Sequence, residues 1–403
     1  MGVSGREARP TVLLVGLGHL GRPVLDILAA SPWLGRVVAC RRSRAAGEAA
    51  CRLARLSGLA LGDDAPEVEF AQLDVADAAR TAELLDSVRP DLVLHTASLQ
   101  TWWWTGLLPE EAARPLRGIG FGAWLPLHLP VTLALARSLD AAGWDGPLLS
   151  APFPDVTGPV LERLGLAPTC GVGNVAEIVP KLRHLAAARL GVPPAEVEVT
   201  LVGHHALLGA SIGRDARPPA GEVPPHHLRI RAAAEDVTDR VDAESLLVEP
   251  WPLPGGAAWG RLTASCTVPL VRAVLSPGTT RLHAPSPGGL PGGYPVLAGD
   301  GEVRPAPIEG LSLEQAVELN RRSHRFDGID AIGPDGTVVL TDGAAGALRE
   351  TLGFECPRLV PDEAAECGRE LAERFRAYAA RHGVELPGSP GGAGAAAPAG
   401  AEA

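Results

Sequence analysis

The hydrophobic pattern of residues 11–155 alternates between short apolar runs and longer segments in which apolar residues recur at helical spacing. Such alternation is typical of parallel strands joined by helices that cover both faces of a sheet. The strands, the third with its exit loop, are predicted at residues 12–15, 36–40, 69–77, 91–98 and 147–150. The pattern therefore predicts an α/β fold with a doubly wound parallel sheet over residues 11–155.

After residue 156 the pattern changes to long helical segments and then to short strands separated by Pro/Gly turns. This mixture predicts an α+β domain for substrate binding and dimerisation over residues 156–385. Residues 386–403 combine Gly, Pro and Ala without an apolar pattern, which predicts a disordered tail. The later elements are predicted as short strands between about 260 and 308, a helix over 312–322, a hairpin over 327–342 and a helix over 363–382.

A glycine-rich turn follows the first strand directly. Gly16, Gly18 and Gly21 have the spacing G-x-G-x-x-G and lead into a helix, with Leu17, His19 and Leu20 between them. The first glycine allows a tight turn, the second lets a pyrophosphate approach the backbone, and the third lets the helix pack on the strand. The same residues without a ligand would form only a glycine-rich strand end. The strand–turn–helix context favours a bound dinucleotide whose phosphates meet the helix N-terminus.

The end of the second strand indicates which dinucleotide is bound. Sites that prefer NAD usually place an acidic residue there for the ribose 2′-hydroxyl, but this chain has Arg41 and Arg42. Guanidinium groups suit a 2′-phosphate, so the sequence predicts NADP, against the alternative of a solvated basic turn. Asp74 resembles the acid that contacts adenine in short-chain and saccharopine-type reductases, and its alternative role is the N-cap of the next helix. Ala97 is small enough to let the nicotinamide ribose approach.

Composition narrows the function class. The formal net charge of −11 argues against nucleic-acid binding, and no apolar run is long enough to predict a membrane span. The six cysteines are scattered without a C-x-x-C pair, which predicts reduced thiols in a cytoplasmic protein and no metal site.

Three further motifs carry a resemblance to a known group. Residues 150–155 resemble an S-N-P-x-D element, residues 173–192 resemble the helix that follows it, and residues 199–206 resemble a V-x-G-x-H-G strand end. In this order the motifs are similar to those of the Rossmann-fold lactate/malate dehydrogenases and of the NAD-dependent family-4 glycosidases. The resemblance covers roughly residues 12–323, with saccharopine-type reductases as the rival family.

The resemblance implies roles for individual residues. His205 takes the place of the acid–base histidine, or His204 if the register slips by one, because neighbouring strand residues face opposite sides. Lys181 takes the place of the substrate-binding arginine. The aspartate that orients the histidine falls on Ile178, with Glu177 as a neighbouring substitute. A hydrogen-bonded structural histidine is the alternative for His205.

Two other positions separate this chain from its relatives. A cysteine that binds a metal in the glycosidases falls on Gly173, which argues against a metal-dependent glycosidase. The loop with Trp102, Trp103 and Trp104 falls where the relatives carry a mobile lid, so Arg114 or Arg117 is expected to supply its arginine. The alternative is that the tryptophans form a dimer contact.

Together these features predict an NADP-dependent oxidoreductase that forms a homo-oligomer. It would transfer a hydride between the nicotinamide and a carbonyl or imine carbon of a small anionic substrate. His205 would pass the proton and Lys181 would anchor the anion, or Lys181 would itself donate the proton. Two alternatives are a redox-neutral enzyme that uses its nicotinamide transiently and a regulatory protein that binds NADP without turnover.

Overall fold

A computed structural model describes residues 9–212 and 222–387. Its N-terminal region is a six-stranded parallel sheet in the order β3-β2-β1-β4-β5-β6. The strands are β1 (Thr11–Val15), β2 (Arg36–Arg41), β3 (Glu67–Gln72), β4 (Leu92–His95), β5 (Leu148–Ser150) and β6 (Cys170–Gly171). The helices of this region are α1 (Gly21–Ala29), α2 (Arg44–Leu61), α3 (Ala78–Val88), α4 (Glu110–Ala113), α5 (Leu125–Ala141) and α6 (Pro154–Arg163).

The central strands β1 and β4 are almost continuously apolar, as strands buried on both faces must be. The strand order reverses between β1 and β4, and in such sheets ligands bind beyond the carboxyl ends of the strands at this point. The predicted doubly wound sheet is therefore confirmed. Its sixth strand, β6, lies beyond the predicted domain boundary at residue 155.

A second sheet is antiparallel, and its strands lie side by side in the order β10-β11-β7-β8-β9, with β12 paired to β11. Its strands are β7 (Val197–Gly203), β8 (His226–Ala232), β9 (Glu235–Asp236), β10 (Thr280–Pro285), β11 (Gly293–Gly299) and β12 (Glu302–Pro305). The accompanying helices are α7 (Val175–Leu190), α8 (Leu207–Ser211), α9 (Ala243–Val248), α10 (Gly260–Val274) and α11 (Leu313–Ser323).

Helix α10 corrects the prediction of strands from about residue 260. Its apolar face packs against α1 and the second sheet, and Pro269 lies inside the helix. Burial of Ala264, Val268 and Val271 in the core shared with α1 stabilises the helix despite the proline and the Gly/Pro-rich segment before it.

The C-terminal region forms a third, small sheet with two helices. Its elements are β13 (Ile329–Ile332), β14 (Val338–Leu340), β15 (Arg358–Leu359), α12 (Asp342–Leu352) and α13 (Ala364–Arg381). The predicted hairpin is confirmed, with Gly336 at φ 77° in its turn. This region shares its hydrophobic core with the tryptophan loop (residues 101–122), α5 and α6, and Tyr378 donates a hydrogen bond to the Ala112 carbonyl at 2.9 Å. The predicted domain over residues 156–385 is thus two packed regions, and the second covers the parallel sheet's helix α5.

Leu386, at the start of the predicted tail, is buried against this core, and residues 388–403 lie outside the described residues. Within residues 9–212 and 222–387, no single helix is long and apolar enough to cross a membrane, although the bent pair Glu110–Leu116 and Phe121–Ala141 has the necessary length and composition. In the same ranges, no group of three or more His, Cys, Asp or Glu side chains could hold a metal ion.

Candidate active site

The glycine turn closes β1 onto α1 as its spacing predicts. Gly16 has φ 107°, and a Cβ there would lie 2.7 Å from the backbone nitrogen of Ala97 at the end of β4. A Cβ on Gly21 would lie 1.8 Å from the carbonyl oxygen of Gly16, so both positions require glycine for close packing. Gly18 is exposed and a Cβ there would meet no atom within 4 Å, which leaves the backbone open to a ligand.

The other residues of the turn point inwards. Leu17 and Leu20 are buried in the core between the sheet and α1. His19 pairs through Nδ1 with the Thr101 hydroxyl at 2.9 Å, and burial lowers its pKa to about 4. The imidazole is therefore neutral at pH 7.

Three guanidinium groups lie together at the end of β2. Arg41 is the last residue of that strand, and burial, Arg22 and Arg42 all lower its pKa. Its Nη1 is buried and has no hydrogen-bond partner among the residues that the structure describes. Asp74 is exposed and accepts a hydrogen bond from the backbone of Ala76 at 3.1 Å. The interpretation of Asp74 as the helix cap is wrong, because Asp77 caps α3.

The histidine predicted to be the acid–base group has a carboxylate partner. His205 Nδ1 lies 3.0 Å from Oδ2 and 3.2 Å from Oδ1 of Asp327, which is 122 residues away along the chain. The Asp327 side chain is 5% exposed and that of His205 is 19% exposed, so the pair is buried but the imidazole remains accessible. The rings of Phe121 and Phe153 contact the imidazole at centroid distances of 4.6 and 5.1 Å.

Asp327 is itself held by two other groups. The Phe121 backbone N–H donates a hydrogen bond to Oδ1 at 3.3 Å, and His204 Nδ1 lies 3.0 Å from Oδ2. Both histidines therefore contact one carboxylate, because β7 ends at Gly203 and the chain turns before them. The expectation that they face opposite sides is wrong for this reason. His204 is fully buried, so the exposed fraction of His205 makes it the histidine that a substrate can reach.

The S-N-P-x-D-like segment meets the histidine through its aspartate. Asp155 is fully buried, and Oδ1 accepts a hydrogen bond from the backbone N–H of His205 at 2.7 Å. Its Oδ2 accepts from the Asn174 side chain, whose residue precedes α7 with φ 53°. The three motifs that carry the resemblance therefore converge at one place.

Burial and neighbouring charges shift the pKa values of His205 and Asp327 in opposite directions. Burial alone lowers the pKa of His205, but the Asp327 carboxylate, with Asp155 and Glu177 behind it, raises the pKa above its ordinary value of 6.5. Burial raises the pKa of Asp327, but His205 and His204 lower it far below the usual range. The aspartate is therefore ionised and stabilises the protonated imidazole.

The other residues of α7 differ from the expected pattern. Ile178 is fully buried in the core with the second sheet. Glu177 is not the substitute for the orienting aspartate, since its Oε2 accepts a hydrogen bond from Trp259 Nε1 at 2.6 Å. Lys181 is 4% exposed, and its ammonium donates to the carbonyls of Ser211 and Leu247 at 2.7 and 2.8 Å. The N–H groups of the Lys181 ammonium are therefore engaged by backbone carbonyls inside the protein.

The tryptophan loop covers the glycine turn. The rings of Trp102 and Trp259 meet edge to face at 6.2 Å, Trp103 meets His19 at 6.5 Å, and Trp104 is buried in the core. Arg117 forms an ion pair with Glu110 at the surface. The neighbouring Arg114 is exposed.

The end of this loop lies directly against Asp327. Gly120 has φ 80°, and a Cβ there would lie 2.1 Å from the carbonyl carbon of Asp327. A glycine is therefore required for the loop and the carboxylate segment to approach. Sequence reasoning missed Asp327 and Phe121, because the local signal, an Asp-Gly pair after a helix, predicts only a turn.

No family model matches the chain, and no curated protein sequence matches it significantly. Solved structures do share its fold. Malate dehydrogenase from Plasmodium falciparum in complex with NADH is 11% identical with a TM-score of 0.53, covering 78% of this chain and 95% of that chain. Malate dehydrogenase from Cryptosporidium parvum is 13% identical with a TM-score of 0.55, covering 79% and 96%. Lactate dehydrogenase from the same organism, complexed with lactic acid and nicotinamide adenine dinucleotide, is 14% identical with a TM-score of 0.52, covering 80% and 99%. The expected lactate/malate dehydrogenase fold is confirmed.

Proposed function

We propose that the protein is an NADP-dependent oxidoreductase that interconverts a carbonyl or imine and the corresponding alcohol or amine. The observation that carries this proposal is the His205–Asp327 pair, which lies against the segment that follows β5 of a sheet with dinucleotide-binding topology. The similar structures that contain NADH or nicotinamide adenine dinucleotide are dehydrogenases, which supports the same reaction class.

The described residues fit a nicotinamide dinucleotide. Gly18 leaves the turn open at the N-terminus of α1, where unpaired N–H groups and the helix dipole favour phosphates. Arg41, whose Nη1 has no hydrogen-bond partner in the described part of the chain, and its neighbours Arg22 and Arg42 offer donors for a 2′-phosphate. A bound nicotinamide supplies or accepts the hydride at the reacting carbon.

His205 handles the proton of the reaction. In the reducing direction its imidazolium donates a proton to the substrate oxygen or nitrogen, and in the oxidising direction the neutral ring accepts it. Asp327 holds the ring orientation and stabilises its protonated form, while Asp155 fixes the backbone of His205. This partner supplies the carboxylate that is missing at Ile178, which favours a catalytic protein over one that binds NADP without turnover.

Lys181 has a structural role in this proposal, because its ammonium is bound to Ser211 and Leu247. The residue that was expected to anchor an anionic substrate is therefore bonded to carbonyls inside the protein. Assembly into a homo-oligomer and a cytoplasmic location stay predictions.

The test is a cofactor turnover assay on the full chain. NADPH would be mixed with a panel of aldehydes, ketones and imines, and its absorbance and the products would be followed together. We expect loss of NADPH absorbance matched one to one by reduced product. Product without a net change of absorbance would indicate the redox-neutral enzyme, and tight NADPH binding without any product would overturn the proposal in favour of a regulatory protein.

A further inference from the structure

His204 is a second histidine beside the acid–base pair, and the proposed reaction does not use it. Its side chain is fully buried, whereas that of His205 is 19% exposed. His204 Nδ1 lies 3.0 Å from Oδ2 of Asp327, and His205 Nδ1 lies at the same distance from that oxygen. One carboxylate therefore lies between two imidazoles, of which a substrate can reach only His205.

The carboxylate fixes the direction of the hydrogen bond from His204. Burial raises the pKa of Asp327, but its contacts with His205 and His204 lower it far below the usual range, so the carboxylate is ionised and can only accept. The ring proton of His204 is therefore on Nδ1 and points to Asp327. The backbone N–H of Ala206 lies 3.4 Å from the same Nδ1, which is the longer and weaker contact because the protonated nitrogen has no free lone pair. Nε2 of His204 has no hydrogen-bond partner within residues 9–212 and 222–387.

The ring of His204 is itself held by aromatic packing. It meets the ring of Phe153 edge to face at a centroid distance of 6.5 Å and the ring of His324 at 4.9 Å. Phe153 directly precedes α6, and His324 begins the short helical turn that ends at Asp327. His204 therefore contacts this turn at two points, the His324 ring and the Asp327 carboxylate.

The Asp327 carboxylate has few other restraints. Among the residues that the structure describes, its remaining partners are His205 and the backbone N–H of Phe121, which donates to Oδ1 at 3.3 Å. That bond is longer than the usual N–H···O distance of about 2.9–3.0 Å. Without His204, the carboxylate would be held only by one long hydrogen bond and by the imidazole that it orients.

We propose that His204 is a positioning residue, which donates its Nδ1–H to Asp327 and so holds the carboxylate against the imidazole of His205. The inference rests on the proposed function, because it gives His204 a part in proton transfer by His205. His204 acts through Asp327 alone, since its buried side chain does not reach the substrate.

Other titratable groups also face His205 and must be separated from the effect of His204. Burial lowers the pKa of His205, whereas Asp327, and behind it Asp155 and Glu177, raise it. His128 on α5 is uncharged at neutral pH, because burial lowers its pKa to about 3. These groups all remain when His204 is replaced, so a change in the titration of His205 reports on the position of the Asp327 carboxylate.

The experiment compares two substitutions of His204 in the full chain. His204→Phe keeps an aromatic ring for packing against Phe153 and His324 but removes the donor. His204→Asn loses the ring but keeps a donor, because its amide nitrogen is bonded to Cγ as Nδ1 of histidine is. The control is His184→Phe, which replaces an exposed histidine on α7. NMR of chains with ¹⁵N-labelled histidine rings would record the titration of His205 and the protonated ring nitrogen of His204.

We expect the titration midpoint of His205 to move to lower pH in His204→Phe, because a carboxylate that is held less firmly raises the pKa of His205 less. The midpoint should stay in place in His204→Asn and in His184→Phe. Single-turnover hydride transfer should be at least ~10-fold slower in His204→Phe, since a displacement of about 1 Å can cost about 10²-fold in rate. His204→Asn should retain most of the rate, and NADPH affinity should be unchanged throughout.

Three results would overturn the inference. The first is a midpoint of His205 that stays in place or rises in His204→Phe. The second is an impaired His204→Asn beside a normal His204→Phe, which would assign His204 to ring packing alone. The third needs no folded variant: in the unchanged chain, a ring proton of His204 on Nε2 and not on Nδ1 would exclude the bond to Asp327. Absence of hydride transfer together with the expected change in midpoint would instead contradict the proposed function alone.

Discussion

The glycine turn and the acid–base centre lie at the same edge of the parallel sheet but are built in opposite ways. The turn is formed by consecutive residues, and Ala97, just after β4, packs against Gly16. The acid–base centre takes His205, Asp155 and Asp327 from three separate segments, with Phe121 as a fourth.

This difference predicts that cofactor binding and the proposed proton transfer respond to different substitutions. The turn lies within the N-terminal sheet, where Cys40 on β2 and Ala97 after β4 contact Gly16, so dinucleotide binding depends mainly on that sheet. The His205–Asp327 pair requires the C-terminal region to pack on the tryptophan loop, because Asp327 lies where that region begins. A substitution at or near Asp327 is therefore expected to lower the rate of hydride transfer while leaving cofactor affinity intact.

The largest effect is expected from the histidine itself. His205→Asn should lower the rate of single-turnover hydride transfer by roughly 10²–10⁴-fold, the usual contribution of a positioned general acid. NADPH affinity should stay unchanged. The measurement is stopped-flow absorbance of NADPH, with the exposed His184→Asn as the control. A near-normal rate in His205→Asn would remove the residue from the mechanism.

Asp327→Asn should have the next largest effect, about a 10²-fold lower rate, because the amide leaves the imidazolium without its counter-charge. Asp327 raises the pKa of His205, so its neutralisation lowers that pKa. Since reduction needs the protonated ring, the rate falls as pH rises through this pKa, and that limb should move to lower pH.

The control for this variant is Asp330→Asn, which changes an exposed carboxylate three residues further along the chain. A pH–rate profile that stays in place in Asp327→Asn, despite a lower rate, would mean that the carboxylate acts only on folding.

In the turn, Gly18→Val should weaken NADPH binding by roughly 30-fold with little change in thermal stability. The valine side chain has space in the folded protein but occupies the approach of the pyrophosphate. Calorimetry and thermal unfolding would measure the two effects. The control is Gly62→Val, where a Cβ also meets no atom within 4 Å. Tight binding by Gly18→Val would place the cofactor elsewhere.

The smallest expected effect is on cofactor choice. NADPH should bind about 10-fold more tightly than NADH, and Arg41→Ala combined with Arg42→Ala should abolish this preference by removing charge-assisted hydrogen bonds. Arg321→Ala with Arg322→Ala removes an adjacent arginine pair elsewhere on the surface and should leave the preference intact. Equal affinities in the unchanged protein would argue for NAD.

The sequence predicts those parts of the molecule that local patterns encode. Strands β1, β2, β4 and β5 follow from apolar runs, and the roles of Gly16 and Gly21 follow from spacing. Helix α10 could not be predicted because its stability comes from packing on α1.

Residue roles carried over from relatives were less reliable than the motifs themselves. Ile178, where the resemblance placed the orienting aspartate, contributes only an apolar side chain to the core. The carboxylate that pairs with His205 comes from Asp327, and a contact across 122 residues leaves no periodic signal in one sequence. The ammonium of Lys181 is directed inwards by carbonyls of Ser211 and Leu247, which no pattern near residue 181 reveals.

The position of Asp327 also has a consequence for synthesis of the chain. Translation adds roughly 5–20 residues per second, so the 122 residues from His205 to Asp327 take roughly 6–24 s to emerge. During that interval β1, α1 and the glycine turn have already left the ribosome, but His205 has no carboxylate partner. Under the proposed mechanism, the nascent polypeptide thus completes its dinucleotide-binding turn before it completes its proton-transfer site.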